Sequence, residues 1–226
     1  MTAKAESPIP AEEVSGLILA AGNGLRVGEG PKAFLRLGGK TLLEHVVALL
    51  APYAGELIVG LPPDHLERPE AGQPVRRVAG GKTRQDTAAI LTRLASRPFL
   101  VLQDVARPLT PRNHLEAALG LARDHGAVVT VRPARERDGV ALRDGDHYGE
   151  AVPRDELILT QTPQVYRREI LLEALRQAEA QGWQEISPAA LVTKAGHRVR
   201  LIESRTENLK ITYPGDLERA EAALKG

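Results

Sequence analysis

Four short apolar runs punctuate the chain: "GLILAA" at 16–21, "ELIVGLP" at 56–62, "PFLVLQD" at 98–104 and "AVVTVRP" at 127–133. Their apolar residues are contiguous rather than alternating, the pattern of strands buried on both faces. Between them, near 41–53, 83–95 and 111–125, apolar residues recur at helical spacing. Doubly buried strands joined by helical crossovers predict an α/β fold with a Rossmann-like, mostly parallel sheet flanked by helices. The pattern then breaks into "RERDGVALRDGDHYGEAVPRD", where turn residues separate two half-polar strands. A β-hairpin arm at about 135–155 is therefore expected to project from the domain. "ELILTQTPQVY" resumes strand character, a helix follows over 167–180, and "HRVRLIES" gives a late strand. "PGDLERAEAALK" closes the chain as a helix with Pro214 near its start.

At 226 residues the chain suits one well-buried domain, 1–226. Its 30 cations balance 29 acids, so no overall field draws it to nucleic acid or an anionic membrane. The absence of cysteine excludes disulfides and thiolate metal sites. The opening "MTAKAESPIPAEEVSG" lacks the apolar core of a secretory signal, and no run approaches a membrane span. A soluble cytoplasmic protein, with neither nucleic acid nor membrane as partner, is expected.

The chemistry concentrates in "LAAGNGLRVGEGPKAFLRLGGKTLLEH". Two "GKT" triplets suggest a P-loop, but the required earlier glycine is Phe34 in one case and Arg76 in the other. Gly22-Asn23-Gly24 begins a dinucleotide fingerprint whose third glycine is replaced by Val27. What sets the loop apart is length and charge: about nineteen residues separate Ala21 from Thr41, with Arg26 and Lys32 among them. A tight strand-to-helix turn does not need so much chain.

This stretch resembles the signature of nucleotidyltransferases that couple a nucleoside triphosphate to a phosphorylated sugar or polyol. More narrowly, it is similar to the 2-C-methyl-D-erythritol 4-phosphate cytidylyltransferase family. Further blocks carry the same resemblance in the family's order: "GGKTRQDT", "LQDVARP", "LTQTPQVY" and "ENLKITYPGDL". Together they span roughly residues 16 to 217. The resemblance implies a fold of the nucleotide-diphospho-sugar transferase type, CTP and a polyol phosphate as substrates, magnesium as cofactor and a homodimer. The reaction it implies is attack by a phosphate monoester on the α-phosphorus of CTP in isoprenoid precursor synthesis.

Residue by residue, the resemblance makes Arg26, Lys32 and Lys210 the catalytic cations. Ala20, Ala21, Gly22, Asn23, Gly24, Gly80, Gly81, Arg84 and Thr87 fall around CTP. Arg107, Arg154, Thr162 and Lys210 fall at the acceptor, with Arg154 reaching the neighbouring subunit's site from the arm. Asp104 is the expected metal ligand, and a carboxylate ending a parallel strand is well placed for a ligand crevice. Taken alone, Lys32 reads as a solvated lysine, Lys210 as an edge-strand lysine and Asp104 as a turn cap. Thr83 reads as a helix N-cap with Asp86 three residues on, a weaker relative of the capping box. Arg84 sits in that helix's first turn, where the macrodipole disfavours a cation unless an anion lies nearby.

Three positions and one segment depart from the family's pattern. Gln103 replaces the usual His, Val105 replaces Ala, and Arg137 in "PARER" stands where an acceptor-binding threonine is expected. "ISPAA", Ile186 to Ala190, replaces the polar "T-D-E-A-S". The acceptor side therefore leaves a ribitol 5-phosphate cytidylyltransferase as an alternative, and a nucleotide-binding regulator without turnover as another. A nicotinamide dehydrogenase is disfavoured by Val27.

Overall fold

In the computed structural model, which describes residues 9–22, 24, 30–67, 75–134, 139–204 and 208–225, the apolar runs become neighbouring strands of a seven-stranded sheet. Strand β1 (Val14–Leu19) is followed by two two-residue strands, β2 (Arg36–Leu37) and β3 (Lys40–Thr41), and by helix α1 (Leu42–Leu50). Next come β4 (Glu56–Leu61), β5 (Arg76–Ala79), α2 (Arg84–Leu94), β6 (Phe99–Asp104), α3 (Arg112–His125) and β7 (Ala127–Pro133). The chain continues through β8 (Ala141–Asp144), β9 (His147–Ala151), β10 (Ile158–Arg167) and α4 (Arg168–Gln181). It ends with α5 (Pro188–Lys194), β11 (Arg200–Glu203) and α6 (Pro214–Lys225).

The sheet order is β11-β7-β10-β6-β1-β4-β5. β1 pairs parallel with β4 and β6, β4 with β5, and β11 with β7; β10 runs antiparallel to both β6 and β7. Side chains of β1 and β6 alternate between the two faces. Val14, Ile18, Phe99 and Val101 join the layer of α1, α3 and α6, whereas Leu17, Leu19, Leu100 and Leu102 join that of α2, α4 and α5. Both faces are dry, which is why these strands read as unbroken apolar runs. Each fully buried leucine or valine contributes roughly 1.5–3 kcal/mol. The same alternation directs Gln103 toward the α3 layer and Asp104 toward the α2 layer.

The order of the connections creates the crevice. After β1 the chain moves outward through β4 and β5, then returns to β6 on the other side of β1. The carboxyl ends of β1 and β6 lie side by side, Leu19 opposite Asp104, and the chains leaving them diverge. Such a switch point is where open α/β sheets bind ligands.

Helices α1 and α2 start at full capping boxes. Thr41 Oγ1 accepts from Glu44 N–H at 3.1 Å while Glu44 accepts from Thr41 N–H at 2.6 Å. Thr83 and Asp86 make the same reciprocal pair at 3.1 and 3.0 Å, so the shorter Asp serves fully in place of Glu. Each cap is worth about 1 kcal/mol.

The loop after β1 is shorter than its sequence suggests. Its second half folds: Leu35 and Leu37 are buried, and Gly38 and Gly39, at φ +56° and +84°, turn β2 back into β3. A two-residue turn of this hand needs positive φ at both centres. Of the arm expected at about 135–155, residues 135–138 lie outside the described residues; in the rest, β8 and β9 pair with each other as a hairpin. It rises from the base made by β7 and β10, where Ile158 faces Pro133, at the carboxyl end of β7 and so on the crevice side. Strand β5 and helix α5 carry no signal in the apolar pattern and are additions to it.

Candidate functional site

A crevice of about 510 Å³ opens at this switch point. Its walls come from the loop after β1 (Ala21, Gly22, Gly24), the start of α2 (Lys82, Arg84) and the end of β6 (Asp104), with Lys32 and Lys210 from farther along the chain. Among the described residues, one carboxylate and four cations thus line the crevice.

Asp104 is the centre of that arrangement. Arg84 donates to its Oδ1 through Nε at 3.1 Å and Nη2 at 2.9 Å, and Lys210 Nζ donates to Oδ2 at 3.0 Å. Burial pushes the Asp104 pKa up, but Arg84, Lys210 and Arg107 outweigh it and hold the carboxyl at about 2. Asp104 is therefore the anion that offsets the first-turn cation of α2. Lys32, at the start of a short 3-10 turn, donates from Nζ to Ile211 O at 2.8 Å. That bond brings the cation of the β1 loop to the segment that carries Lys210.

The glycine pairs work by close approach. A Cβ on Gly80 would overlap the Ala21 side chain, and one on Gly81 would overlap Asp86. Gly24, at φ +67°, lies against the carbonyl of Gly30. Thr87, 3 % exposed, spends its hydroxyl inside the protein: Oγ1 accepts from Gly81 N–H at 3.1 Å and donates to Thr83 O at 3.0 Å. It shapes the Gly80-Gly81 turn from within. Ala20 is buried, and its N–H extends the sheet to Gly60 O at 3.0 Å, so the loop leaves the sheet at Ala21.

The residues expected at the acceptor are less concentrated. Arg107 is buried beneath the crevice, its guanidinium bonded to Asn208 O and its pKa lowered by burial. Thr162 is 1 % exposed and accepts from the Asp104 N–H at 3.1 Å, which fixes the backbone that presents the carboxylate. Neither is among the described residues lining the crevice. Arg154 lies in an exposed 3-10 turn at the arm's base and is not among them either. Of the "ISPAA" segment, Ser187 caps α5, accepting from Ala189 N–H at 3.1 Å, and Ile186 is 92 % exposed. Gln103, where the family usually has His, donates from Nε2 to Thr110 Oγ1 at 2.8 Å and Arg107 O at 3.2 Å. Asn23, Arg26 and Arg137 lie outside the described residues.

Two residues were missed in the sequence. Lys82 lines the crevice, and its only signal is a position between Gly81 and the Thr83 cap. Asn208, 4 % exposed, bonds to Arg107, Thr110 and Thr162, and carries no sign of this beyond its place in the last matched block. Convergent cations, open backbone turns and a single ionised carboxylate suit a polyphosphate accompanied by a divalent ion.

Comparison with known proteins points the same way. The family model IspD, 2-C-methyl-D-erythritol 4-phosphate cytidylyltransferase, matches residues 14–226. A protein of that name from Thermus thermophilus is 43 % identical over 213 residues, covering 94 % of this chain and 98 % of the relative. One from Deinococcus radiodurans is 39 % identical over 206 residues, covering 91 % and 87 %. The crystal structure of a Thermus thermophilus enzyme of the same name superposes with a TM-score of 0.81 at 39 % identity, covering 95 % of this chain and 100 % of that one. With a family match along nearly its whole length and relatives this similar, the chain belongs to the 2-C-methyl-D-erythritol 4-phosphate cytidylyltransferase family.

Proposed function

We infer that the chain transfers CMP from CTP to 2-C-methyl-D-erythritol 4-phosphate, releasing pyrophosphate in isoprenoid precursor biosynthesis. The observation that carries this reading is the convergence of Lys32, Arg84 and Lys210 on the Asp104 crevice in a chain that matches the family from residue 14 to 226. The relatives reported above all bear the methylerythritol name, which disfavours ribitol 5-phosphate.

Two polyanions must meet in this crevice. A phosphate monoester is mostly dianionic at pH 7, so its oxygen attacks the α-phosphorus without a general base. The new P–O bond forms as the bond to the β-phosphate bridge breaks, and the electron pair leaves with pyrophosphate. Charge builds on the α-phosphoryl oxygens and the leaving group, where Lys32 and, by the sequence resemblance, Arg26 are assigned to stabilise it. Backbone N–H groups from Ala21 to Gly24 hold the triphosphate, and the Gly80-Gly81 turn borders the nucleoside. Lys210 leads the acceptor phosphate to the reacting phosphorus, supported by Arg107 and Thr162.

Magnesium fits the donor set. Asp104 offers one carboxylate and no group of three His, Cys, Asp or Glu forms an all-protein site among the described residues, so the other positions fall to phosphate oxygens and water. Asp104 would hold the ion, which would supply positive charge against the phosphates.

A homodimer is part of the same proposal. The arm and its base expose Leu142 (59 %), Tyr148 (79 %) and Ile158 (45 %), a set of apolar side chains on a two-stranded ribbon that is marginal alone. Packing against a second copy would cover them and carry Arg154 to the partner's crevice. A cytoplasmic location, where CTP is made, belongs to this reading too. No helix among the described residues is long and apolar enough to cross a membrane. The test is magnesium-dependent pyrophosphate release from CTP with 2-C-methyl-D-erythritol 4-phosphate. No release with that pair, alongside release with another polyol phosphate, would overturn the acceptor assignment.

A further inference from the structure

One end of the segment bearing Lys210 is anchored by the side chain of Asn208. Asn208 Nδ2 donates to Thr162 O at 2.7 Å and to Gln161 Oε1 at 3.3 Å, both on β10. Its Oδ1 lies 3.0 Å from Thr110 Oγ1 in the loop after β6, and its carbonyl accepts from the Arg107 guanidinium. Gln103 braces the same loop from below through Thr110 and Arg107 O. Two residues beyond Asn208, Lys210 reaches Asp104; three beyond, Ile211 donates its N–H to Ala106 O at 2.8 Å and receives Lys32 on its carbonyl. Only an amide on a one-carbon stem supplies an acceptor toward Thr110 and two donors toward β10 at once.

We propose that Asn208 is the positioning residue of the site, setting the segment 208–212 so that the Lys210 ammonium meets the acceptor phosphate at the right distance. Arg107 and Thr162 share the same anchor, so three of the four residues assigned to the acceptor, Arg107, Thr162 and Lys210, are registered together. Replacing Asn208 takes the amide donor from Thr162 O and Gln161 Oε1 and loosens the segment at that end, and a displacement near 1 Å in a positioned cation costs about 100-fold in rate. The kinetic part of this proposal rests on the cytidylyltransferase reading; the structural part does not.

Asn208→Ala is expected to lower kcat about 100-fold. The double variant with Lys210→Ala is expected to be no slower than Lys210→Ala alone, because the Asn acts through the Lys. In the ligand-free protein, hydrogen exchange at the Ile211 amide is expected to rise about tenfold or more while Leu17 to Leu19 stay protected. Asn208→Asp, which keeps the shape and loses the donors, is expected to fail in the same way. If Asn208→Ala does not fold, Thr110→Val, which removes the hydroxyl that meets Asn208 Oδ1, Gln103 Nε2 and Arg107 O, is expected to cost about tenfold with the same non-additivity. Losses that multiply with Lys210→Ala, or exchange at Ile211 that does not change, overturn the proposal. If the wild-type protein turns over neither CTP nor acceptor, the functional reading falls and the exchange measurement alone decides the role of Asn208.

Discussion

Asp104→Asn isolates the ion cluster with the least steric change. The carboxylate is 10 % exposed at its side chain, against 30 % for Arg84 and 42 % for Lys210. Burial disfavours its charge, yet the three cations hold the pKa at about 2 instead of 3.8. Nearly two pKa units of preference for the charged form correspond to about 2 kcal/mol of folding stability. Asn mimics the protonated carboxyl, so the variant is expected to lose that amount at pH 7, a fall in Tm of about 4–8 °C for a chain of this size. The sign follows from linkage: the folded pKa is depressed, so the contribution is whole above the unfolded value near 3.8 and disappears as pH falls through about 2. Thermal unfolding of both proteins between pH 7 and pH 2 is the assay. The Tm gap should be constant at the upper end and close at the lower. A variant as stable as wild type at pH 7 would mean that desolvation equals the attraction. A gap independent of pH would mean that lost packing rather than lost charge is responsible.

Three further outcomes are expected. Lys32→Ala should lower kcat about 100- to 1,000-fold while the CTP dissociation constant changes far less, since its contact strengthens as charge develops; a rise in KM alone would make it a binding group. Gly80→Ala should weaken CTP binding, measured by titration calorimetry, and cost about 1–3 kcal/mol of stability, because the added methyl overlaps Ala21; unchanged affinity would remove the turn from the nucleotide site. Arg154→Ala should chiefly raise KM for the acceptor, and mixing it with Lys32→Ala should restore activity in heterodimers; no rescue would confine each site to one chain.

The strands and helices that bury large apolar faces were legible because period and length declare them. Direction was not: "LTQTPQVY" looks the same in a parallel or an antiparallel strand, and only the sheet shows that β10 is reversed. β5, with Arg76 and Arg77 in four residues, is an edge strand that has no apolar run to show. In "ISPAA" the lost polar groups were visible, while the role of Ser187 as the cap of α5 was not. Arg84 stood out as a cation in need of an anion, but nothing in the chain names a carboxylate twenty residues on as its partner. Lys32, Arg84, Asp104 and Lys210, from four of the matched blocks, line one crevice. Thr87 and Thr162 present hydroxyls committed to the backbone, because their neighbours Gly81 and Asp104 need those partners.

The most direct measurement is phosphorus NMR of the products formed from CTP and magnesium with 2-C-methyl-D-erythritol 4-phosphate, beside parallel reactions with ribitol 5-phosphate, ATP and UTP. Transfer of CMP to the methylerythritol phosphate gives a new diester of pyrophosphate together with free pyrophosphate, and the other pairs stay near background. A diphosphocytidyl product with ribitol 5-phosphate but none with the methylerythritol phosphate would contradict the assignment.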